Sequence, residues 1–176
     1  MRALVVYESM FGNTKAIAEA VAAGLTETCE VVVLPVAEAT DEQVDAAGLL
    51  VVGGPTHAHG MTSAQSRKGA PSYVEKSHGE LELEPGFAGP GLRDWFASLP
   101  PGSGFAAAFD TRVDGPRLLT GHASKGIADR LHRHGYAVVA DPESFLVGKA
   151  NLLKDGETER ATAWARELAA KVVEAV

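Results

Sequence analysis

Five short apolar runs alternate with helical patterns along this chain, and that alternation restricts the fold more than any other feature. The runs are 3–7, 30–34, 48–54, 104–109 and 136–139, with 144–147 reading as a continuation of the last. Between the first two, Ile17, Val21 and Leu25 recur at four-residue spacing, the stripe of an amphipathic helix. Leu92, Trp95, Phe96 and Leu99 mark a short helix. Ile127 and Leu131 share the face of another helix, which ends near Gly135. Ala161, Trp164, Leu168 and Val172 stripe a last helix from about Glu157 to Ala175. The run Leu49-Leu50-Val51-Val52 is apolar at every position, as a strand buried on both faces must be. Pro55 is expected to end it. Strands separated by helices imply a parallel sheet covered on both faces, and right-handed crossovers leave few topologies. The expectation is an α/β fold, a three-layer α/β/α sandwich on a five-stranded parallel sheet.

The 176 residues are expected to form one domain, 1–176, carrying a long irregular insertion at about 56–90. A second loop is expected from Asp110 to Gly121. The chain carries 23 acidic against 16 basic residues, a net charge of −7, which argues against general nucleic-acid binding. No apolar run approaches the roughly 20 residues that span a bilayer. Met1-Arg2 leads straight into a strand with no leader-like apolar region, and the single Cys29 cannot form an internal disulfide. These features point to a cytoplasmic protein, with Cys29 as a small packed residue.

In parallel sheets of this kind, ligands bind beyond the strand C-termini. The first such loop is Ser9-Met10-Phe11-Gly12-Asn13-Thr14. A loop between strand and helix offers unpaired N–H donors and the positive end of a helix dipole to one point, where a phosphate is stabilised. Ser9 and Thr14 add hydroxyls, and Gly12 permits a tight turn. The spacing fits neither the nucleoside-triphosphate loop nor the dinucleotide fingerprint. A loop without a side-chain cation before Lys15 suits a single terminal phosphate, as on a flavin mononucleotide. The same residues also read as an ordinary helix start capped by Asn13 or Ser9.

His57 and His59 could pair on a metal, but no Cys or carboxylate lies near them in sequence to complete a site. The other readings are a cofactor contact with a proton-delivering role, or a solvated loop. Asp110 ends the fourth strand and reads as a cofactor ligand or a loop cap. Arg112 reads as an anion partner or a surface ion pair. Trp95 and Trp164 read as core.

The chain resembles the flavodoxin family along essentially its whole length, and the resemblance implies the sheet order 2-1-3-4-5. Ser9 to Thr14 is similar to the family's FMN phosphate loop. Gly53-Gly54-Pro55-Thr56-His57 is similar to its second flavin loop, in the form found in actinobacterial-type flavodoxin-like proteins. Phe109-Asp110-Thr111-Arg112 stands where the third loop follows strand four. The resemblance implies FMN as cofactor. It implies that the N–H groups of Met10, Phe11, Gly12, Asn13 and Thr14, with the Ser9 and Thr14 hydroxyls, hold the phosphate. After Pro55, the residues Thr56, His57, Ala58, His59 and Gly60 would cover one ring face. Beyond Phe109, the residues Asp110, Thr111, Arg112 and Val113 would cover the other and bond the pyrimidine edge. The family commonly sandwiches the ring between aromatics. Here the second loop offers only His57 and His59, and the third offers no aromatic after Phe109.

The resemblance implies electron transfer, with a redox partner protein or a small-molecule donor or acceptor. An NAD(P)H-dependent flavin or quinone reductase on the same fold stays open. The 56–90 segment would then build a substrate wall, often beside a second subunit in a homodimer. A flavin-free interaction module stays open as well, because the aromatic pair is missing. A phosphorylated receiver domain does not: strand three ends in Gly53-Gly54-Pro55, without the carboxylate that chemistry needs.

Overall fold

The computed structural model describes residues 1–175. In chain order its elements are β1 (Arg2–Tyr7), α1 (Asn13–Leu25), β2 (Glu30–Pro35), a 3-10 turn (Val36–Glu38), α2 (Asp41–Asp45), β3 (Leu49–His57) and β4 (Gly60–Met61). Then come α3 (Ala64–Lys68), α4 (Ala70–Lys76), α5 (Leu92–Ser98), β5 (Phe105–Val113), α6 (Arg117–Thr120), α7 (Ala123–Arg133), β6 (Ala137–Val138), β7 (Glu143–Val147) and α8 (Glu157–Ala175).

The parallel sheet runs β2-β1-β3-β5, and β6 and β7 share the fifth position. This is the expected order. The fifth strand is split: β6 pairs beside Phe105 and Ala106, and β7 pairs from Phe109 to Val113. Pro142 lies in the gap, where a residue without N–H cannot donate to a ladder.

Strand alternation sorts the core into two layers. Val5, Val51, Ala107 and Phe109 face α1 and α8, where they meet Ile17, Val21, Trp164 and Leu168. Leu4, Val6, Leu50, Val52, Ala106 and Ala108 face the other side, against Leu92, Trp95, Ile127 and Leu131 of α5 and α7. Cys29 is buried and reduced in the first layer. Gly53 is required by this packing: a Cβ there would fall 2.1 Å from Cζ of Phe109, whose ring lies against the glycine.

Two expected boundaries are wrong, for one reason. β3 does not stop at Pro55 but continues to His57, and β5 does not end at Phe109 but continues to Val113. Pro55 pairs with Thr111 at the top of the sheet, and β3 then turns back into β4 through the pairs Thr56–Met61 and His57–Gly60. The segment 56–90 is also not wholly irregular, since it contains β4, α3 and α4. The short α3 is started by the reciprocal Ser63–Ser66 bonds. Among the described residues no helix is long and apolar enough to cross a membrane.

Candidate functional site

A cleft of about 260 Å³ opens at the C-terminal edge of the sheet. That is small beside the ~300–1,000 Å³ of typical ligand pockets, so a larger ligand would keep one edge in solvent. Its floor is the loop between β1 and α1. Helix α1 starts at Asn13, with Gly12 as its N-cap residue in the left-handed region (φ 90°) and no side-chain cap. The expected capping by Asn13 or Ser9 is therefore corrected. Ser9 Oγ accepts from Gly12 N–H at 3.1 Å, and Asn13 Nδ2 donates to the Asn151 carbonyl at 2.7 Å. The backbone N–H groups of Met10, Phe11, Asn13 and Thr14 donate to no protein acceptor among the described residues. The first turn of α1 holds no acidic residue. An anion is the natural acceptor for such a set.

Side chains from distant elements complete the cleft. Thr14 Oγ1 lies 2.7 Å from Thr111 Oγ1, a buried hydroxyl pair that joins α1 to β5. Arg112 is buried. Its Nη1 donates to the carbonyls of Val113 and Gly115 and to Thr120 Oγ1, while its Nε is buried without a partner. Val147 at the end of β7, with Gly148, Lys149 and Asn151 after it, closes the far side. Tyr73 of α4 closes the near side, half exposed, its ring 6.2 Å from that of Phe11 and 6.5 Å from that of His57.

The cleft thus gathers Ser9, Met10, Phe11, Asn13, Thr14, Pro55, Thr56, His57, Thr111, Arg112 and Val113 from the expected set. Six expected residues stand elsewhere. Gly12 shapes the loop without lining the cleft. Phe109 lies wholly in the core against Phe145 and Trp164. Asp110 is fully buried and points to the start of α7, where its Oδ2 accepts from Ser124 N–H at 2.7 Å. Burial pushes its carboxyl above the ordinary range, against opposing bonds from Ser124 and Ser144 and the charge of Arg112. Ala58 and His59 take positive φ, 47° and 72°, at the tip of the β3–β4 hairpin. Both central positions of a two-residue hairpin commonly need this geometry, which costs non-glycine residues about 1–2 kcal/mol each. The turn sends His59 and Gly60 into a separate groove with Arg93 and Arg130. The two histidines therefore do not face one point as an extended loop would have placed them. No group of three His, Cys, Asp or Glu side chains is disposed to hold a metal among the described residues.

Tyr73, Lys149 and Asn151 escaped the sequence reading. Tyr73 sits in a segment read as irregular, and the other two follow a strand read as a continuation.

A buried ionic network supports the cleft from behind. Arg67 of α3 lies 3.8 Å from Glu8 Oε1 and 3.0 Å from Asp94 Oδ2, and donates to Thr62 Oγ1. Thr62 donates in turn to Glu8, which also accepts from Leu92 N–H at 2.8 Å. Arg93 binds the carbonyls of Met61 and Thr62. Together these contacts fasten the 60–68 segment to the end of β1 and to α5.

Residues 5–81 match the flavodoxin family model, which spans both the phosphate-type loop and the hairpin. The fold is flavodoxin-like. Members of that family bind FMN. The flavodoxin-like fold covers 98% of this chain and 99% of a flavodoxin from the domain Archaea, at 23% identity and TM-score 0.66. It covers 100% of this chain and 99% of oxidised Flavodoxin 1 from Bacillus cereus, at 18% identity and TM-score 0.63. It also covers 98% of this chain but only 36% of the rubredoxin oxygen:oxidoreductase of Desulfovibrio gigas, at 17% identity and TM-score 0.60. No curated relative matches.

Proposed function

We propose that this flavodoxin-like chain is a single domain that binds FMN in the cleft and exchanges electrons with a partner. One observation carries the reading: four backbone N–H groups at the uncapped start of α1 lack acceptors and open onto a cleft with aromatic and apolar walls. A phosphate supplies the missing acceptor. Lys149 adds a cation across the cleft. Phe11, His57 and Tyr73 stand on one side for ring contact, and Val113 and Val147 stand on the other. Arg112 Nε, buried and unpartnered, is suited to donate to a ring carbonyl.

Bound FMN would supply one- and two-electron redox chemistry, while the protein binds, orients and shields it. Tyr73 provides an aromatic that the second and third loops lack, which favours this reading over a flavin-free interaction module. The fixed backbone dipoles hold the phosphate end and leave the opposite edge nearer solvent, where an electron exchanges over a short distance.

The test is the visible absorbance spectrum of the purified protein, with FMN added if it is colourless. A yellow protein that releases FMN on denaturation is the expected result. A protein that neither carries FMN nor quenches its fluorescence sinks the proposal. Bleaching by NAD(P)H in the absence of any partner protein would favour the reductase reading over the carrier.

A further inference from the structure

The molecule is acidic, with a net charge of −7, yet one face is strongly basic. Arg93 of α5, Arg117 of α6, and Lys125 and Arg130 of α7 line a single open groove together with His59 and His122. Asp129 is the one carboxylate among the residues lining that groove. The belt continues into a second hollow that shares Arg117, His122, Lys125 and Asp129 and adds His132 and Lys171, with Asp141 as its one further carboxylate.

The ion pairs among the described residues use Arg2, Lys15, Arg67, Lys154, Arg160 and Arg166, and none uses a cation of the groove. Arg130 is held below its ordinary range by burial and by the like charges of Arg93 and Arg133. Leu118, on the rim of the same groove, is 92% exposed, and Leu119 beside it is 69% exposed.

The belt is joined to the cleft at two points. The hairpin places His57 in the cleft and His59 in the groove, and His59 bridges to Gly121. Arg112, on the cleft wall, also holds Gly115 and Thr120 at the two ends of the short α6 segment that carries the two leucines.

We propose that this basic belt, with Leu118 and Leu119 at its edge, docks the acidic face of a protein that exchanges electrons at the adjoining cleft. The electron-exchange clause rests on the FMN reading, while the docking does not. Charge complementarity selects the partner's sign. The form of the belt selects a macromolecule: its cations are strung over two hollows and four helices instead of converging on one phosphate. The exposed leucines favour a protein over a nucleic acid, since an apolar spot ringed by charge is the usual anatomy of a protein interface.

The test uses cytochrome c and its succinylated form as probes, which share a fold and haem and differ in the sign of surface charge. Association is measured by calorimetry at low and at physiological salt, where screening shortens from about 30 Å to about 8 Å. The protein is expected to bind the succinylated form in preference to the native one, and to lose affinity at least ~10-fold as salt rises. The triple variant Arg117→Glu, Lys125→Glu, Arg130→Glu is expected to lose binding at least ~10-fold and to retain FMN quenching. The variant Arg2→Glu, Lys76→Glu, Arg166→Glu, which changes net charge equally but away from the belt, is expected to keep it. The pair Leu118→Ser, Leu119→Ser is expected to lose ~3–10-fold.

Preference for native cytochrome c overturns the proposal, as does failure to bind the succinylated form at low salt. Equal loss in the two charge-reversed variants also overturns it. Tighter binding of a short DNA duplex than of either cytochrome assigns the belt to nucleic acid instead. A protein that docks succinylated cytochrome c but binds no FMN leaves the docking intact and removes the flavin reading.

Discussion

Arg67 and Glu8 form an ion pair in which each side chain is more than nine-tenths buried, at 3.8 Å, between α3 and the end of β1. The pair fixes the segment that leads to Tyr73 against the strand that leads to the phosphate-type loop. Leaving one buried charge without its partner costs about 3–5 kcal/mol. Arg67→Ala is therefore expected to lower Tm by roughly 10 °C, at ~2–4 °C per kcal/mol for a chain of this size. The double variant Arg67→Met, Glu8→Gln is expected to recover part of that loss, because no charge is stranded. A thermal melt followed by circular dichroism decides, and an Arg67→Ala melt within a degree or two of wild type contradicts the assigned role.

Tyr73 contributes an aromatic face to a cleft whose loops have none after Phe109. Tyr73→Ala is expected to weaken FMN binding by about tenfold, the scale of one aromatic contact with its buried area. Tyr73→Phe is expected to stay within about twofold, since ring contact and not the hydroxyl carries the effect. Fluorescence titration gives both affinities. Equal FMN affinity in Tyr73→Ala and wild type removes Tyr73 from the binding wall.

The unpaired N–H groups of the loop make the phosphate the anchor. Riboflavin, which lacks the phosphate, is expected to bind at least ~100-fold more weakly than FMN, since several charge-assisted bonds of about 1.5–3 kcal/mol each are lost. Thr14→Val breaks the hydroxyl pair with Thr111 and is expected to narrow that ratio. Comparable dissociation constants for the two flavins would show that the loop is an ordinary helix start.

Asp110 is a buried carboxyl held above its ordinary range chiefly by burial. Burial raises the folded-state value, so folding favours the protonated form more than the unfolded chain does. Its contribution is complete below the unfolded value near ~3.9 and is lost as pH rises through the folded one. Asp110→Asn keeps an oxygen for the Ser124 N–H and removes the buried charge. It is expected to raise Tm at pH 7 by a few degrees, on the order of 1 kcal/mol, and to raise it less at pH 4. A lower Tm at pH 7 than at pH 4, relative to wild type, refutes the assignment.

Gly53 shows why strand content was readable from sequence while strand ends were not. Runs such as Leu49 to Val52 are buried on both faces, and burial on both faces imposes apolar side chains locally. The same holds for the helix stripes, whose spacing follows from 3.6 residues per turn. By contrast, Pro55, Thr56 and His57 carry no strand signature. They extend β3 because β5 and β4 offer pairing partners at the top of the sheet, which is a contact between segments. From its place in the chain Asp110 reads as a cofactor ligand or a loop cap. The alternation of β5 turns it inward, toward Ser124 of a helix that local sequence cannot position.

The sequence by itself determined the layered α/β fold and the phosphate-type loop, because each follows from local burial pattern or from the donors of one turn. Tertiary structure alone decided the rest of the site. Tyr73, Lys149 and Asn151 reach the cleft from positions 59 to 138 residues beyond Thr14 and Asn13 in the chain. The basic belt likewise gathers Arg93, Arg117, Lys125 and Arg130 from three helices of an acidic chain. Such groups are neighbours only after strands pair and helices pack, so their spacing along the chain carries no trace of the chemistry they share.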